Sequence, residues 1–184
     1  SPYRAKLLQQ IIPNFQCISP NIDETAKPQE PAPQLAKRLS LEKAKAITQN
    51  HEGLIIASDQ VASCQGDILN KPGTRENAET QLHKQSGQWV HFHTGLCLIN
   101  TQNGQRYLDV IDFSVLFKTL SQAQISAYLN KESALDCAGS FKAEGLGAAL
   151  FTKTQGQDPS SLIGLPLYTL SQWLCQEGFD PLLM

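Results

Sequence analysis

The sequence has no apolar run that approaches the ~20 residues of a membrane-crossing helix, so no transmembrane segment is expected. It has no P-loop, no G-x-G-x-x-G and no G-x-S-x-G, which removes the familiar phosphate-cradling loops and the nucleophile elbow. It has no C-x-x-C pair. The five cysteines, Cys17, Cys64, Cys97, Cys137 and Cys175, are odd in number and widely spaced. That argues against a disulfide framework or a zinc cage and for a reducing compartment, with the thiols serving as small buried hydrophobes. Excess charge is missing too. The net charge is −2 and basic residues do not interleave with aromatics, so neither nucleic acid nor a membrane surface is expected as a partner. There is no internal repeat and no low-complexity linker. The opening Ser1-Pro2-Tyr3-Arg4 is no signal peptide; it starts a helix abruptly, and an upstream strand is expected before it.

What remains is an ordinary globular composition. The 184 residues, 41% hydrophobic and 17% charged, suit one domain spanning 1–184 with a sizeable core. Ser1 and Pro2 suit a helix start, and Leu7, Leu8, Ile11 and Ile12 share one face of a helix that Pro13 ends. Phe15 to Ile18 reads as a short extended piece, and residues 19–33 as a polar, Pro-rich loop. A helix follows from about Pro33 to Thr48 with Leu35, Leu39 and Ala46 inward. Leu54 to Asp59 reads as a buried strand with the acid at its C-terminal end, and Gln65-Gly66-Asp67 as a turn. Thr74 caps a helix that reaches about Gln85. Trp89–Asn100 and Gln105–Lys118 form a hairpin around Asn103-Gly104. Ser121 to Lys131 is helical, a strand lies near Ala148–Thr152, and Pro166 opens a last helix ending by Gly178. Alternating helices and strands interrupted by one hairpin give an α/β class, mixed α+β, with a mixed sheet flanked by helices.

Several residues stand where chemistry is commonly placed, each beside a plainer reading. Asp59 ends an apolar strand, where ligands bind in α/β sheets; it also suits a carboxylate that caps a loop. Arg4 lies in the first turn of a helix, where a cation is mildly disfavoured unless an anion sits with it. The alternative is a solvated arginine. Lys43 within the second helix and Lys71 in a Lys-Pro-Gly loop suit phosphate neutralisation or simple solvation. Glu24 suits a metal ligand or a solvated acid. His91 and His93 alternate on one strand face with Trp89, but no third metal ligand is evident beside them.

The order of these residues is more informative than any one of them. Ser-Pro-x-Arg with Leu-Leu, then Asp23-Glu24-Thr25, then Lys43-Ala44 on a helix, Ser58-Asp59-Gln60-Val61 and Lys71-Pro72 resembles the Maf family. Tyr128, Cys137-Ala138-Gly139-Ser140-Phe141, Glu144-Gly145 and Ile163-Gly164-Leu165-Pro166 continue the likeness over nearly the whole chain. The resemblance implies a cytoplasmic nucleotide pyrophosphatase that cleaves between the α and β phosphates with a divalent cation, Mg²⁺ or Mn²⁺. It also implies a fold related to the inosine-triphosphate pyrophosphatases, an elongated mixed sheet with a cleft between two lobes. By the same resemblance Asp59 is the proton acceptor or a metal ligand beside Glu24, and Ser1, Arg4, Lys43 and Lys71 bind phosphate. A homodimer is suggested as well. The family was first associated with septum formation, and its biochemical role is the clearing of modified nucleotides.

A branch can be read from three positions. The dTTP/UTP branch carries Arg, Thr and Gln where this chain has Tyr3, Gln60 and Glu144, which resemble the 7-methyl-GTP branch instead. N7 methylation makes the purine cationic; an aromatic ring can stack on it, and a carboxylate attracts it while accepting from the guanine N–H edge. The alternatives are a dTTP or UTP pyrophosphatase of the same family, and a non-catalytic nucleotide-binding regulator of septum formation.

Overall fold

A computed structural model describes residues 1–183 of the chain, and local sequence accounts for most of its elements. Helix α1 (Pro2–Leu8) starts on the fixed φ of Pro2, but the Ser1 side chain makes no cap bond. It is also shorter than the apolar spacing predicted. After Leu8 the chain tightens, with the Gln10 and Ile11 amides donating to carbonyls three residues back. Ile11 and Ile12 still pack on the core from these turns. The extended piece expected at Phe15–Ile18 has no regular structure; it lies between Pro13 and Pro20, and both apolar residues are exposed.

Helix α2 (Ala32–Thr48) buries Leu35, Ala36, Leu39, Ser40 and Ala44. Ala46 is only half-buried, because the row that faces inward steps four residues from Ser40 to Ala44. Strand β1 (Leu54–Cys64) runs five residues past Asp59, so the acid is mid-strand and not at a C-terminal end. The extended run continues because Val61, Ala62, Ser63 and Cys64 are all buried. A two-residue turn at Gln65 and Gly66, both with left-handed φ, leads into β2 (Asp67–Leu69). Asp67, expected in that turn, instead pairs with Cys64.

Helix α3 (Arg75–Gln85) begins where expected, with the Thr74 hydroxyl accepting from the Asn77 amide. Strands β3 (Trp89–Asn100) and β4 (Arg106–Phe117) meet at the Asn103-Gly104 turn, and α4 (Gln122–Lys131) carries a capping box between Ser121 and Gln124. Strand β5 (Phe151–Gly156) lies later than the expected Ala148–Thr152, because Leu146–Leu150 winds into a 3₁₀ turn first. Helix α5 (Leu167–Gln176) follows Pro166 as predicted.

The sheet has the order β2-β1-β3-β4-β5 and is antiparallel where a mixed sheet was expected; tight turns join β1 to β2 and β3 to β4, and α4 lies between β4 and β5 in the chain. The α/β class expected from the alternation of elements is borne out. The chain forms two compact units. One comprises Ser1–Gln60, His93–Ile111 and the stretch from Asp158 onward; the other comprises Val61–Phe92 and Asp112–Gln157. The first is built on Leu7 of α1, Leu96 and Leu98 of β3, and Leu165, Leu167, Leu170 and Leu174 at α5. In the second, Phe141 packs edge-on against Phe92 and Phe117, with centroids 5.4 Å away in both cases. Cys64 and Cys97 are buried as expected, whereas Cys17 and Cys175 are exposed and Cys137 is half-buried; all five thiols are free.

In the first unit β3 touches α2 backbone to backbone at Gly95. A Cβ there would lie 2.2 Å from the Ala36 carbonyl oxygen and 2.9 Å from Ser40 Oγ. Gly95→Ala must push a buried helix off the sheet, at a cost of about 3 kcal/mol. Thermal unfolding is expected to show a melting temperature lower by roughly 10 °C; an unchanged value would mean the two elements are not held at this spacing.

Candidate active site

Asp59 on β1 is buried, and its carboxylate is met by the ammonium of Lys43 from α2, with Nζ 2.6 Å from Oδ1. The same ammonium lies 2.7 Å from Glu24 Oε1, which comes from the loop before α2. Lys43 therefore holds two carboxylates together. Its side chain is 13% exposed and that of Asp59 10%, whereas Glu24 is 57% exposed. One acid is anchored in the unit and the other reaches it from the surface. An ion pair this buried is costly to break from one side.

Arg4 joins this group. Its Nε donates to the Gly164 carbonyl at 2.8 Å. Burial lowers its hold on the proton, while the negative charges of Asp59 and Glu24 oppose that effect. The Gly164 carbonyl also accepts from the buried Ser58 hydroxyl at 2.8 Å. Gly164 adopts a left-handed φ of +114°, and a Cβ there would press on Arg4 Nε at 3.1 Å. One backbone carbonyl thus fixes the guanidinium and needs glycine to do so.

The turn that presents Gly164 is braced from several sides. Asp158, buried, accepts from the Ser160 amide and hydroxyl with Oδ1 and from the Tyr168 amide with Oδ2, so it ties the Pro159–Ile163 3₁₀ turn to the start of α5. Gln60, next to Asp59, donates its carboxamide to the Ser161 carbonyl at 2.7 Å and the Leu162 carbonyl at 3.1 Å. Thr94 Oγ1 donates to the same Ser161 carbonyl at 2.9 Å. Ser1 is exposed at the start of α1, and Tyr3 is half-buried one residue before Arg4.

Two residues expected to take part belong to the second unit. Lys71 is exposed on a loop held at both ends: Gln81 Nε2 donates to the Asn70 carbonyl and Asn77 Nδ2 to the Pro72 carbonyl, each at 2.9 Å. Glu144 is exposed on a turn closed by the Gly145 amide on the Lys142 carbonyl. Side chains of α4 and its C-cap grip that turn on both sides. The Lys142 amide donates to the Tyr128 hydroxyl at 3.1 Å, and the Leu146 amide to Glu132 Oε2 at 3.0 Å. Burial pushes the Tyr128 phenol well above its ordinary range, so it stays a neutral acceptor. His91 Nδ1 lies 2.8 Å from Ser114 Oγ, a structural contact.

The other expected site residues, Ser1, Tyr3, Arg4, Glu24, Lys43, Asp59 and Gln60, all lie in the first unit. Sequence reading missed Ser58, Thr94 and Asp158. The last had a signal in Asp158-Pro159-Ser160, an acid and a proline in the order that starts a helical turn. Ser58 stood in the Ser58-Asp59-Gln60-Val61 motif but gave no sign of its bracing role, and Thr94, a small hydroxyl within an apolar strand, gave no signal.

Carboxylates paired on a lysine, beside an arginine set by a backbone carbonyl, make a centre that can take up an anion in company with a cation. A family model described as Maf-like protein matches residues 1–177, and the chain belongs to the Maf family. It is 46% identical over 183 residues to the 7-methyl-GTP pyrophosphatase of Colwellia psychrerythraea, covering 99% of this chain and 92% of that protein. It is 49% identical over 179 residues to the 7-methyl-GTP pyrophosphatase of Pseudomonas fluorescens, covering 97% of this chain and 93% of that protein.

Proposed function

We propose that the protein hydrolyses 7-methyl-GTP to 7-methyl-GMP and pyrophosphate. The likeness to two proteins so named, over more than nine-tenths of their length, supports the substrate. The observation that carries the chemistry is the convergence of Asp59 and Glu24 on the Lys43 ammonium, at 2.6 and 2.7 Å.

That donor set also fits a divalent cation. The two carboxylates already face one positive charge, that of Lys43. Among the described residues no group of three or more His, Cys, Asp or Glu is arranged for a metal. Mg²⁺ is commonly bound by one or two carboxylates with the rest of its shell from water and substrate phosphate. Glu24 and Asp59 would hold Mg²⁺ or Mn²⁺, which would supply charge neutralisation at the phosphate oxygens.

The chain's own residues carry the remaining work. Arg4 and Lys43 grip phosphate oxygens, with Ser1 and Lys71 as further phosphate ligands. Asp59 takes a proton from the attacking water, whose oxygen bonds to the α-phosphorus as the bond to the bridging oxygen breaks and pyrophosphate leaves. Tyr3 and Glu144 recognise the cationic base, Tyr3 by stacking and Glu144 by charge and hydrogen bonding; Gln60 completes the set that separates this branch from one acting on dTTP or UTP. A cytoplasmic setting and a homodimer belong to the same proposal.

The test is product analysis by mass with Mg²⁺ and 7-methyl-GTP, GTP, dTTP, UTP and CTP. Release of 7-methyl-GMP and pyrophosphate in preference to the other products is expected. A preference for dTTP or UTP would overturn the base assignment, and binding without turnover would favour a regulator. Glu144→Gln should cut the selectivity for 7-methyl-GTP over GTP by roughly tenfold, since it removes one charge–charge contact. An unchanged ratio of kcat/KM values would remove Glu144 from base recognition.

A further inference from the structure

Glu24 poses a physical problem that the site alone does not solve. It stands in a Pro-rich stretch with no regular structure and is mostly exposed, yet its carboxylate meets Lys43. Loops of this kind are mobile unless side chains tie them down. Here the tie comes from α2. The Arg38 guanidinium grips Glu30 with two nitrogens, Nε to Oε1 at 2.7 Å and Nη2 to Oε2 at 2.8 Å. Nη2 also donates to the Thr25 carbonyl at 3.0 Å, and Nη1 donates to Glu42 at 3.0 Å. Thr25 is the residue next to Glu24.

Glu30 passes the restraint on. Its Oε2 accepts from the Lys27 amide at 2.9 Å, and its own amide closes a turn on the Lys27 carbonyl at 3.0 Å. That turn has Pro28 at its second position and Gln29 at its third with φ +58°, a conformation that usually calls for glycine. A non-glycine residue keeps this conformation only where its surroundings enforce it. At the other end the Thr25 amide donates to Asp23 Oδ1 at 2.9 Å. Apart from the Glu24 contact with Lys43, the stretch 23–30 therefore hangs on one guanidinium, itself on the helix that carries Lys43.

We propose that Arg38 is the positioning residue of the Glu24 loop: by gripping Glu30 and the Thr25 carbonyl it holds the Glu24 carboxylate against Lys43 and Asp59. The inference rests on the reading of Glu24 as a cation-holding residue. Arg38 touches neither substrate nor cation in this scheme. Its fork lets one side chain reach Glu30, Glu42 and a carbonyl together, which a lysine cannot do. The arrangement also resists acid. The Arg38 fork and the Lys27 amide hold the Glu30 carboxylate down to about 2, so the tie is complete above the ordinary glutamate range and is lost only as pH falls towards that value.

The test uses Arg38→Ala, Arg38→Lys and Glu24→Gln in the full chain, with two readouts. Amide hydrogen exchange in the nucleotide-free protein should speed up by roughly tenfold or more across 23–30 in both Arg38 variants, and stay unchanged in Glu24→Gln. The Mg²⁺ concentration for half-maximal turnover should rise by roughly tenfold in Arg38→Ala and in Glu24→Gln, with no further rise in the double variant, while kcat of Arg38→Ala at saturating Mg²⁺ changes less than about threefold. Arg38→Lys keeps the positive charge on α2, so faster exchange there with an intact cooperative melt separates loss of the tie from loss of the fold. Unchanged exchange across 23–30 in Arg38→Lys and Arg38→Ala overturns the inference. So does an unchanged Mg²⁺ requirement in Arg38→Ala when Glu24→Gln raises it. If Glu24→Gln itself leaves the requirement unchanged, the reading of Glu24 falls and takes the inference with it, whatever the exchange rates.

Discussion

Asp59→Asn is expected to give a folded protein that turns over 7-methyl-GTP about a thousandfold more slowly. The substitution keeps the shape of the side chain and one oxygen that can accept from Lys43, so β1 and α2 stay in register. It removes the negative charge and the ability to take a proton from water. Lys43 keeps Glu24 at 2.7 Å, so no cation is stranded in the unit. The measurement is single-turnover product formation beside a thermal melt. A large rate loss with a near-normal melt supports the assignment. Near-normal turnover would end the case for Asp59 as base and as metal ligand alike.

Arg4→Ala is the second large effect. Hydrogen bonds to a charged group contribute about 1.5–3 kcal/mol, so the KM for 7-methyl-GTP should rise by roughly 10- to 100-fold. The comparison with Arg4→Lys is the sharper one. A lysine restores the charge but not a side chain that donates to the Gly164 carbonyl at 2.8 Å and offers a second pair of nitrogens to phosphate. Little recovery is expected. If Arg4→Lys recovered wild-type KM, charge alone would suffice and the role of Gly164 in aiming the guanidinium would be lost.

Where a local rule decided the outcome, the sequence was legible. Thr74 before α3, Ser121 with Gln124 at α4, and Asn103-Gly104 in the hairpin each act over three or four residues, and each lies where it was expected. The misses at Asp59 and Ala46 came from contacts between distant residues. Asp59 ended a strand in the sequence reading because an acid normally faces water; in the fold Lys43, sixteen residues earlier, meets it and lets the strand run on. Ala46 gave way to Ala44 because α2 packs on β3 at Gly95. Strand β5 began late because a 3₁₀ turn precedes it. The site followed the same division. Residue types and order picked out Arg4, Glu24, Lys43 and Asp59, whereas Thr94 and Ser161 carry no sequence signature, and Ser58 and Gly164 stand in the recognised motifs with nothing in the sequence to show that they brace the site.

Those supporting bonds span great lengths of chain. Arg4 and Gly164 lie 160 residues apart, Ser58 and Gly164 106, and Gln60 and Ser161 101. Loops this long close late in folding, after hairpins and helices have formed. During synthesis the first residues of the site leave the ribosome long before the carbonyl that aims Arg4 has been made. A nascent chain that stops before Asp158 therefore carries Arg4, Ser58 and Gln60 without the carbonyls of Ser161 and Gly164 that accept from them.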